Sequence, residues 1–165
     1  MAREFIAPGQ IYTGEGALDM AEGKLGTLGK KALIVTDKVM VELGNAAKVE
    51  TALKNQNIEY VIYSEINGEP TDTMIEEGLN LYKEEGCDFI VALGGGSPID
   101  SMKAIGALVT SGGQISDYMG KVITEETPTL VAIPTTAGTG SEATQFTIIT
   151  DTKNDIKMLL KGAVL

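Results

Sequence analysis

Four short runs of apolar residues constrain the fold of this chain most strongly. Each run is continuous rather than alternating, and they comprise residues 32–35, 60–63, 89–93 and 130–133. Continuous runs of this length are typical of strands that are buried on both faces, as in a parallel sheet. Their centres lie roughly 30 to 40 residues apart, which matches the length of a strand–helix–strand unit.

The stretches between these runs carry apolar residues at helical spacing. The recurring positions are Leu18, Ala21, Leu25 and Leu28, then Ile75, Leu79 and Tyr82, then Met102, Ile105 and Val109. Alternation of strand and helix predicts the α/β class, with a Rossmann-like parallel sheet flanked by helices and joined by right-handed crossovers.

The two ends of the chain depart from this alternation. Phe5–Ile6 and Ile11–Tyr12 flank Pro8–Gly9, which predicts an N-terminal edge strand or hairpin. Gln145–Thr150 and Ile156–Leu160 flank a polar stretch, which predicts a C-terminal β-hairpin. A length of 165 residues indicates one domain spanning residues 1–165.

The chain ends in the apolar sequence Gly162–Leu165, without a polar tail. One interpretation is a terminal strand that docks against the domain. The other is that the chain is part of a longer protein, because natural domains more often end in solvated residues.

Composition excludes several classes of function. The chain has no histidine, which removes Ser-His-Asp triads and His-ligated metals. Its one cysteine, Cys87, cannot form an internal disulfide and is interpreted as a buried structural thiol. A net charge of −10 argues against nucleic-acid binding. No apolar run approaches the ~18 residues of a membrane span, no signal peptide is seen, and we expect a cytoplasmic protein.

A glycine-rich segment, Gly94–Asp100, directly follows the third apolar run. Glycines let the backbone approach a ligand closely. Ser97 is predicted as the N-cap of a helix, with Pro98 at its first position and Asp100 completing a capping box. The N-terminus of that helix would favour a phosphate or pyrophosphate. The alternative is a tight, well-capped turn with no ligand.

Two further polar segments follow the ends of predicted strands. Residues 134–142 combine three threonines, a serine and two glycines, which could hold a sugar or phosphate. Asp37 follows the first run, where a carboxylate could accept both hydroxyls of an adenosine ribose and select NAD over NADP. The alternatives are a polar connection and a helix N-cap. Ligands of open α/β sheets bind outside the carboxyl ends of the strands, so a shared ligand is the stronger interpretation.

Two of these segments resemble signatures of the iron-containing, metal-dependent alcohol dehydrogenase family. Residues 94–104, GGGSPIDSMKA, resemble its GGGSxxDxxKA motif, and residues 134–142, PTTAGTGSE, resemble its PTTxGTGSE motif. The resemblance implies an N-terminal NAD-binding domain followed by a helical metal-binding domain that this chain lacks. It also implies dimerisation through N-terminal strands, which Phe5–Tyr12 could supply.

The resemblance also implies a set of cofactor-binding residues. Asp37 would hold the adenine ribose, Gly95, Gly96 and Ser97 the pyrophosphate with Asp100 nearby, Thr135, Thr136 and Thr139 the nucleotide, Ile148 the nicotinamide side, and Lys157 a ribose hydroxyl. The family's divalent metal, iron or zinc, is held by one Asp and three His in the helical domain, so no metal ligand is carried over. Glu69 stands where members often have Asn, so one nicotinamide contact differs.

These expectations lead to one main hypothesis about function. The chain would be the NAD-binding part of an oxidoreductase that transfers hydride between NAD(H) and a small primary alcohol, diol or aldehyde. The metal electrophile would come from the missing domain, so this chain alone would be inactive. The alternative is a stand-alone nucleotide-binding or interaction module without catalytic activity.

Overall fold

The computed structural model describes residues 7–165, which form five helices and six strands. In chain order these are α1 (Ala17–Leu25), β1 (Lys31–Val35), α2 (Lys38–Glu42), α3 (Asn45–Asn55), β2 (Glu59–Tyr63), α4 (Asp72–Glu84), β3 (Phe89–Gly94), α5 (Gly96–Ser111), β4 (Thr129–Pro134), β5 (Phe146–Asp151) and β6 (Ile156–Lys161). A short 3-10 helix, Ile115–Tyr118, follows α5.

The first four strands form one parallel sheet in the order β2-β1-β3-β4. Each of the four apolar runs lies within one of these strands, so the prediction of a parallel sheet is confirmed. In β3 all six residues are buried, as expected for a strand covered on both sides.

Successive residues of each strand enter two separate cores, because side chains alternate across a sheet. Leu33, Val35, Ile90 and Ala92 pack on the side of α4 and α5. Ala32, Ile34, Phe89, Val91 and Leu93 pack on the side of α1 and α3. Helices therefore cover both faces of the sheet.

The predicted C-terminal hairpin is confirmed. Strands β5 and β6 pair in antiparallel fashion, with Phe146 opposite Lys161 and Asp151 opposite Ile156. One face of the hairpin, carrying Ile149, Met158 and Leu160, is buried in the core that contains α4 and α5. The hairpin therefore lies beside the helices that start at the carboxyl edge of the sheet.

The predicted N-terminal strand is not seen in the part of it that the structure describes. Residues 7–13 have no strand structure, so the expectation for Ile11 and Tyr12 is wrong for this chain. Pro8 has no N–H to donate to a neighbouring strand, and no strand within residues 7–165 pairs with this segment. Phe5 and Ile6 lie outside the described residues.

The helices start and stop at recognisable signals. Thr71 caps α4 by accepting a hydrogen bond from the Met74 amide at 3.3 Å, a role that threonine commonly has at a helix start. The first helix ends at Leu25, earlier than its periodicity suggests, with Gly26 as its C-cap. The longest helix in the described part of the chain is α5, and none there could cross a membrane.

Candidate functional site

The strands that follow β1 in the chain are added to the sheet on both sides of it. The connection after β1 leads outward to β2, whereas the strands that follow, β3 and β4, lie on the other side of β1. The loops that leave the carboxyl ends of β1 and β3 therefore separate, and the crevice between them is where open α/β sheets bind ligands. Asp37 and the glycine turn, Gly94–Ser97, lie on its two sides.

The carboxyl ends of β1 and β3 are fastened to each other. Thr36, which is fully buried, donates its hydroxyl hydrogen bond to the Leu93 carbonyl at 2.8 Å. Asp37 follows in extended conformation and accepts the Met40 amide through Oδ1 at 2.9 Å, so it is the N-cap of α2. Its other oxygen, Oδ2, lies 3.3 Å from the point where a Cβ on Gly94 would be. The capping role therefore leaves one carboxylate oxygen directed at the glycine turn.

Glycine is required at the first position of this turn. Gly94 has a φ of +146°, a conformation that L side chains rarely adopt, and an added Cβ would lie 2.7 Å from Pro98 Cγ. The turn can therefore follow β3 closely only because no side chain is present there.

The predicted capping of α5 is wrong. The helix begins at Gly96 and its N-cap is Gly95, so Ser97, Pro98 and Asp100 all lie inside it. No side chain of the described residues caps this helix. The helix therefore starts closer to the sheet, at the glycines. The Ser97 hydroxyl does not cap it. The first turn of α5 thus presents backbone N–H groups rather than a closed cap.

The hydroxyl loop, residues 135–145, lies directly opposite the glycine turn. It starts at Thr135, whose amide donates to the Gly94 carbonyl at 2.9 Å. Thr136 Oγ1 lies 3.4 Å from a Cβ built on Gly95, and Ser141 Oγ lies 3.3 Å from one built on Gly96. Thr139 approaches Gly96 from the same side. The absence of side chains on the turn therefore leaves a narrow space lined by the hydroxyls of Thr136 and Ser141 and by carbon atoms of Thr139.

One helical turn further along α5, two charged residues contact the end of this loop. Asp100 accepts the Ile148 amide through Oδ2 at 3.0 Å. Lys103, only 3% exposed, donates to the carbonyls of Thr144 at 2.5 Å and Phe146 at 2.9 Å. Burial raises the pKa of Asp100 and lowers the pKa of Lys103. The Ile148 amide, the Ser141 hydroxyl and the Lys103 ammonium partly offset the rise in the pKa of Asp100.

The hairpin carries the last two predicted site residues on its outer face. Ile148 is 43% exposed, next to Asp100 through its amide. Lys157 lies opposite Thr150 and forms an ion pair with Glu69 at 2.8 Å. Glu69 belongs to the loop before α4, and the neighbouring Pro70 carbonyl accepts the Thr150 amide at 2.8 Å. Lys157 is therefore ion-paired with Glu69, the residue that stands where Asn is expected.

The structure brings most of the predicted residues to one edge of the sheet. Those around the glycine turn are Asp37, Gly95, Gly96, Ser97, Thr135, Thr136 and Thr139. Asp100 and Ile148 contact each other beside this group, and Lys157 lies further along the hairpin. Sequence reasoning assigns no role to Lys103. A signal is available in the sequence, because Asp100 and Lys103 are the only charges in the 16 residues of α5.

The residues present do not fit a metal centre. Within residues 7–165, no three Asp, Glu, Cys or His side chains are close enough together to hold an ion. Oxygen ligands alone would have to be used, since the sequence contains no histidine and Cys87 is buried elsewhere.

Strand order, glycine turn and helix placement define a doubly wound α/β domain with its candidate site at the switch point. The chain belongs to the iron-containing alcohol dehydrogenase family, whose model matches residues 8–165. It is 40% identical over 161 residues to the NAD-dependent methanol dehydrogenase of Bacillus methanolicus, covering 96% of this chain and 42% of that protein. It is 36% identical over 161 residues to the 1,3-propanediol dehydrogenase of Citrobacter freundii, covering 95% and 42%.

Solved structures agree with the sequence comparisons. A 1,3-propanediol oxidoreductase superposes with a TM-score of 0.95 at 34% identity, covering 99% of this chain and 44% of that one. The sulfoacetaldehyde reductase from Bifidobacterium kashiwanohense, solved in complex with NAD+, gives a TM-score of 0.84 at 28% identity, covering 98% and 43%. This chain spans about two fifths of the length of the curated relatives it matches.

Proposed function

We propose that this chain binds NAD and forms the nucleotide-binding part of an oxidoreductase. The reaction would transfer hydride between NAD(H) and a small primary alcohol, diol or aldehyde. The observation that carries the proposal is the meeting of Asp37, the glycine turn and the hydroxyl loop at the switch point. The names of the relatives support the substrate class, since they include methanol and 1,3-propanediol dehydrogenases.

The site fits a dinucleotide in three respects. Gly94–Gly96 form a cradle that side chains would fill, so backbone can contact a pyrophosphate closely. The uncapped start of α5 offers N–H donors and the positive end of a helix dipole to the same group. Asp37 offers a free carboxylate oxygen of the kind that binds ribose hydroxyls.

Each residue of the proposed site has a separate role. Asp37 would hold the adenine ribose, Gly95, Gly96 and Ser97 the pyrophosphate, and Thr135, Thr136 and Thr139 would donate or accept hydrogen bonds along the nucleotide. Ile148 would pack on the nicotinamide side, and Lys157 would reach a ribose hydroxyl. Lys157 must leave or share its ion pair with Glu69 to do so, which costs little because both side chains are exposed.

NAD supplies the hydride chemistry when bound, and the protein supplies binding and orientation. Reduction of a carbonyl develops negative charge on oxygen, which needs an electropositive partner. We propose that this partner, the family's iron or zinc, is held by residues of a longer protein outside this chain. Residues 1–165 would then be its dinucleotide-binding domain, followed by a helical metal-binding domain.

Two further proposals concern the setting of the protein. We propose a homodimer formed through the N-terminal segment Phe5–Tyr12, and a cytoplasmic location. Analytical ultracentrifugation of the chain with and without residues 1–12 tests the first, because the shortened form should be monomeric.

Titration calorimetry of this chain with NAD+ and with NADP+ tests the nucleotide proposal. We expect heat of binding for both, with the tighter association for NAD+, because Asp37 repels a 2′-phosphate. Absence of binding of NAD+, NADH and ADP would overturn the proposal, and equal affinities for NAD+ and NADP+ would remove Asp37 from its role.

A further inference from the structure

The two charges of α5 are both directed at the segment that joins the hydroxyl loop to β5. Lys103 Nζ donates to the Thr144 carbonyl at 2.5 Å and to the Phe146 carbonyl at 2.9 Å, with Thr144 Oγ1 at 3.4 Å. Asp100 accepts the Ile148 amide at 3.0 Å, and its backbone carbonyl accepts the Thr147 hydroxyl at 2.7 Å. Two side chains three residues apart on one helix thus hold residues 144–148.

Burial of the Lys103 ammonium costs free energy that an apolar side chain at this position would not cost. Lys103 is 3% exposed and lies in a helix whose other buried residues are small or apolar. A lysine that only filled space could be replaced by an apolar residue of similar volume without loss. Its ammonium is needed because carbonyl groups of an irregular segment must find donors inside the protein.

The hydroxyl loop is attached to the rest of the site at its two ends. The Thr135 amide donates to the Gly94 carbonyl at its start. At its end, Lys103 donates to the Thr144 carbonyl and the Gly162 amide donates to the Gln145 carbonyl at 3.0 Å. Between these points the chain passes through Gly138 and Gly140, both with positive φ, and presents Thr136, Thr139 and Ser141 to the glycine turn. The Gly162 contact holds only Gln145, so loss of the Lys103 contacts would loosen the segment before it and let these side chains move away from the turn.

We propose that Asp100 and Lys103 are a pair of positioning residues that fix the hydroxyl loop against the glycine turn and so set the affinity of the site for a diphosphate. This inference rests on the proposed function, since it assigns the diphosphate of the nucleotide to that space. In this proposal Asp100 affects the affinity for the ligand by holding the loop in place and does not contact the ligand itself.

The test compares Lys103→Met with a matched control, Lys83→Met, which removes an exposed lysine from the end of α4. Amide hydrogen exchange is measured in the free chain. We expect exchange over residues 136–148 to be about tenfold faster in Lys103→Met, because charge-assisted hydrogen bonds are lost. Exchange in β1 and β3 should not change, and the control should match the original chain throughout.

Ligand affinities supply a second readout that a general loss of stability would not produce. ADP should bind Lys103→Met about tenfold more weakly, whereas adenosine, which lacks the diphosphate, should bind within about twofold of the original chain. Asp100→Asn is the second variant, and it should accelerate exchange at the Ile148 amide and weaken ADP binding in the same direction. It keeps the proposal testable if Lys103→Met does not fold.

Three results would overturn the inference. These are unchanged loop exchange and ADP affinity, acceleration spread equally over β1 and β3, and an equal loss of ADP and adenosine affinity. Failure of the original chain to bind ADP would instead overturn the proposed function and the diphosphate assignment with it. The exchange comparison would then still decide whether the pair orders the loop.

Discussion

Asp37 carries two contacts that can be separated by mutation. Its Oδ1 caps α2 through the Met40 amide, whereas its Oδ2 faces Gly94 across the crevice. The sequence leaves two interpretations open for this carboxylate, a helix cap or a ribose ligand. The geometry allows both, because an N-cap uses only one of the two oxygens.

Asp37→Asn tests the charge without removing the cap, since Asn and Asp are about equally good N-caps. We expect its free energy of unfolding to stay within about 0.5 kcal/mol of the original value. Its preference for NAD+ over NADP+ should fall by about tenfold, because the repulsive charge is gone. Asp37→Ala serves as the comparison and should also lose about 1 kcal/mol of stability. Calorimetry and urea unfolding measure these effects, and an unchanged preference in Asp37→Asn would contradict the assignment.

Because the thiol of Cys87 is buried, we expect the free energy of unfolding to depend on pH in the alkaline range. Cys87 is 7% exposed, and burial raises the pKa of its thiol from 9.0 to about 11, with Lys31 opposing this rise. The folded chain therefore holds the proton more tightly than the unfolded chain. This contribution to stability is complete below pH 9 and is lost as the pH rises toward 11.

The prediction is checked by urea unfolding of the original chain and Cys87→Ala at pH 8 and pH 10, with reductant present. Both chains lose stability as tyrosines ionise, but the original should lose about 1 kcal/mol more, because only it has the thiol. The same loss in both chains would show that the thiol is not buried as described.

Among the secondary-structure elements, the strands of the parallel sheet and of the hairpin are predicted well from the sequence, whereas the N-terminal strand and the helix ends are predicted poorly. The strands of the sheet follow from continuous apolar runs, which at that length are typical of buried strands when they are rich in β-branched and aromatic residues. The sequence predicts a start of α5 at Pro98 with Ser97 as cap, yet the helix begins at Gly96. Capping rules assume that a side chain closes the helix, whereas this one begins at glycines facing the hydroxyl loop. Pairing of Lys103 with distant carbonyls depends on tertiary contacts that local spacing does not contain.

Two alanine substitutions distinguish the structural from the ligand-facing glycines of this turn. Gly94→Ala should lower the free energy of unfolding by about 1–3 kcal/mol, because its φ of +146° is strained for alanine and its Cβ would lie 2.7 Å from Pro98. Gly96→Ala should keep its stability within about 1 kcal/mol, since its Cβ would lie 3.3 Å from Ser141 Oγ and 3.8 Å, an ordinary contact distance, from Thr139. It should nevertheless weaken ADP binding. Urea unfolding and calorimetry measure both effects, and equal stability losses in the two variants would contradict this division.

The described part of the molecule contains a four-stranded parallel sheet with helices on both faces, and the candidate residues lie at its carboxyl edge. The chain spans about two fifths of its curated relatives and, within residues 7–165, offers no cluster of metal ligands. We therefore expect this chain to bind the nucleotide without catalysing hydride transfer.

We predict that the chain binds NAD+ but does not oxidise methanol, ethanol or 1,3-propanediol. Absorbance of NADH is followed with each alcohol, NAD+ and added Fe2+ or Zn2+. No NADH should form above the rate without protein, because nothing in the proposed site supplies the electropositive partner for the substrate oxygen. Turnover that scales with the concentration of the purified chain would contradict this prediction.

A crystal structure of this chain grown with NAD+ would show where the dinucleotide binds. We expect the pyrophosphate to lie on the backbone of Gly95, Gly96 and Ser97, with the adenine ribose at Asp37 and the hydroxyl loop closing the other side. Density for the dinucleotide elsewhere, with the glycine turn contacted by neither phosphate, would refute the proposed site.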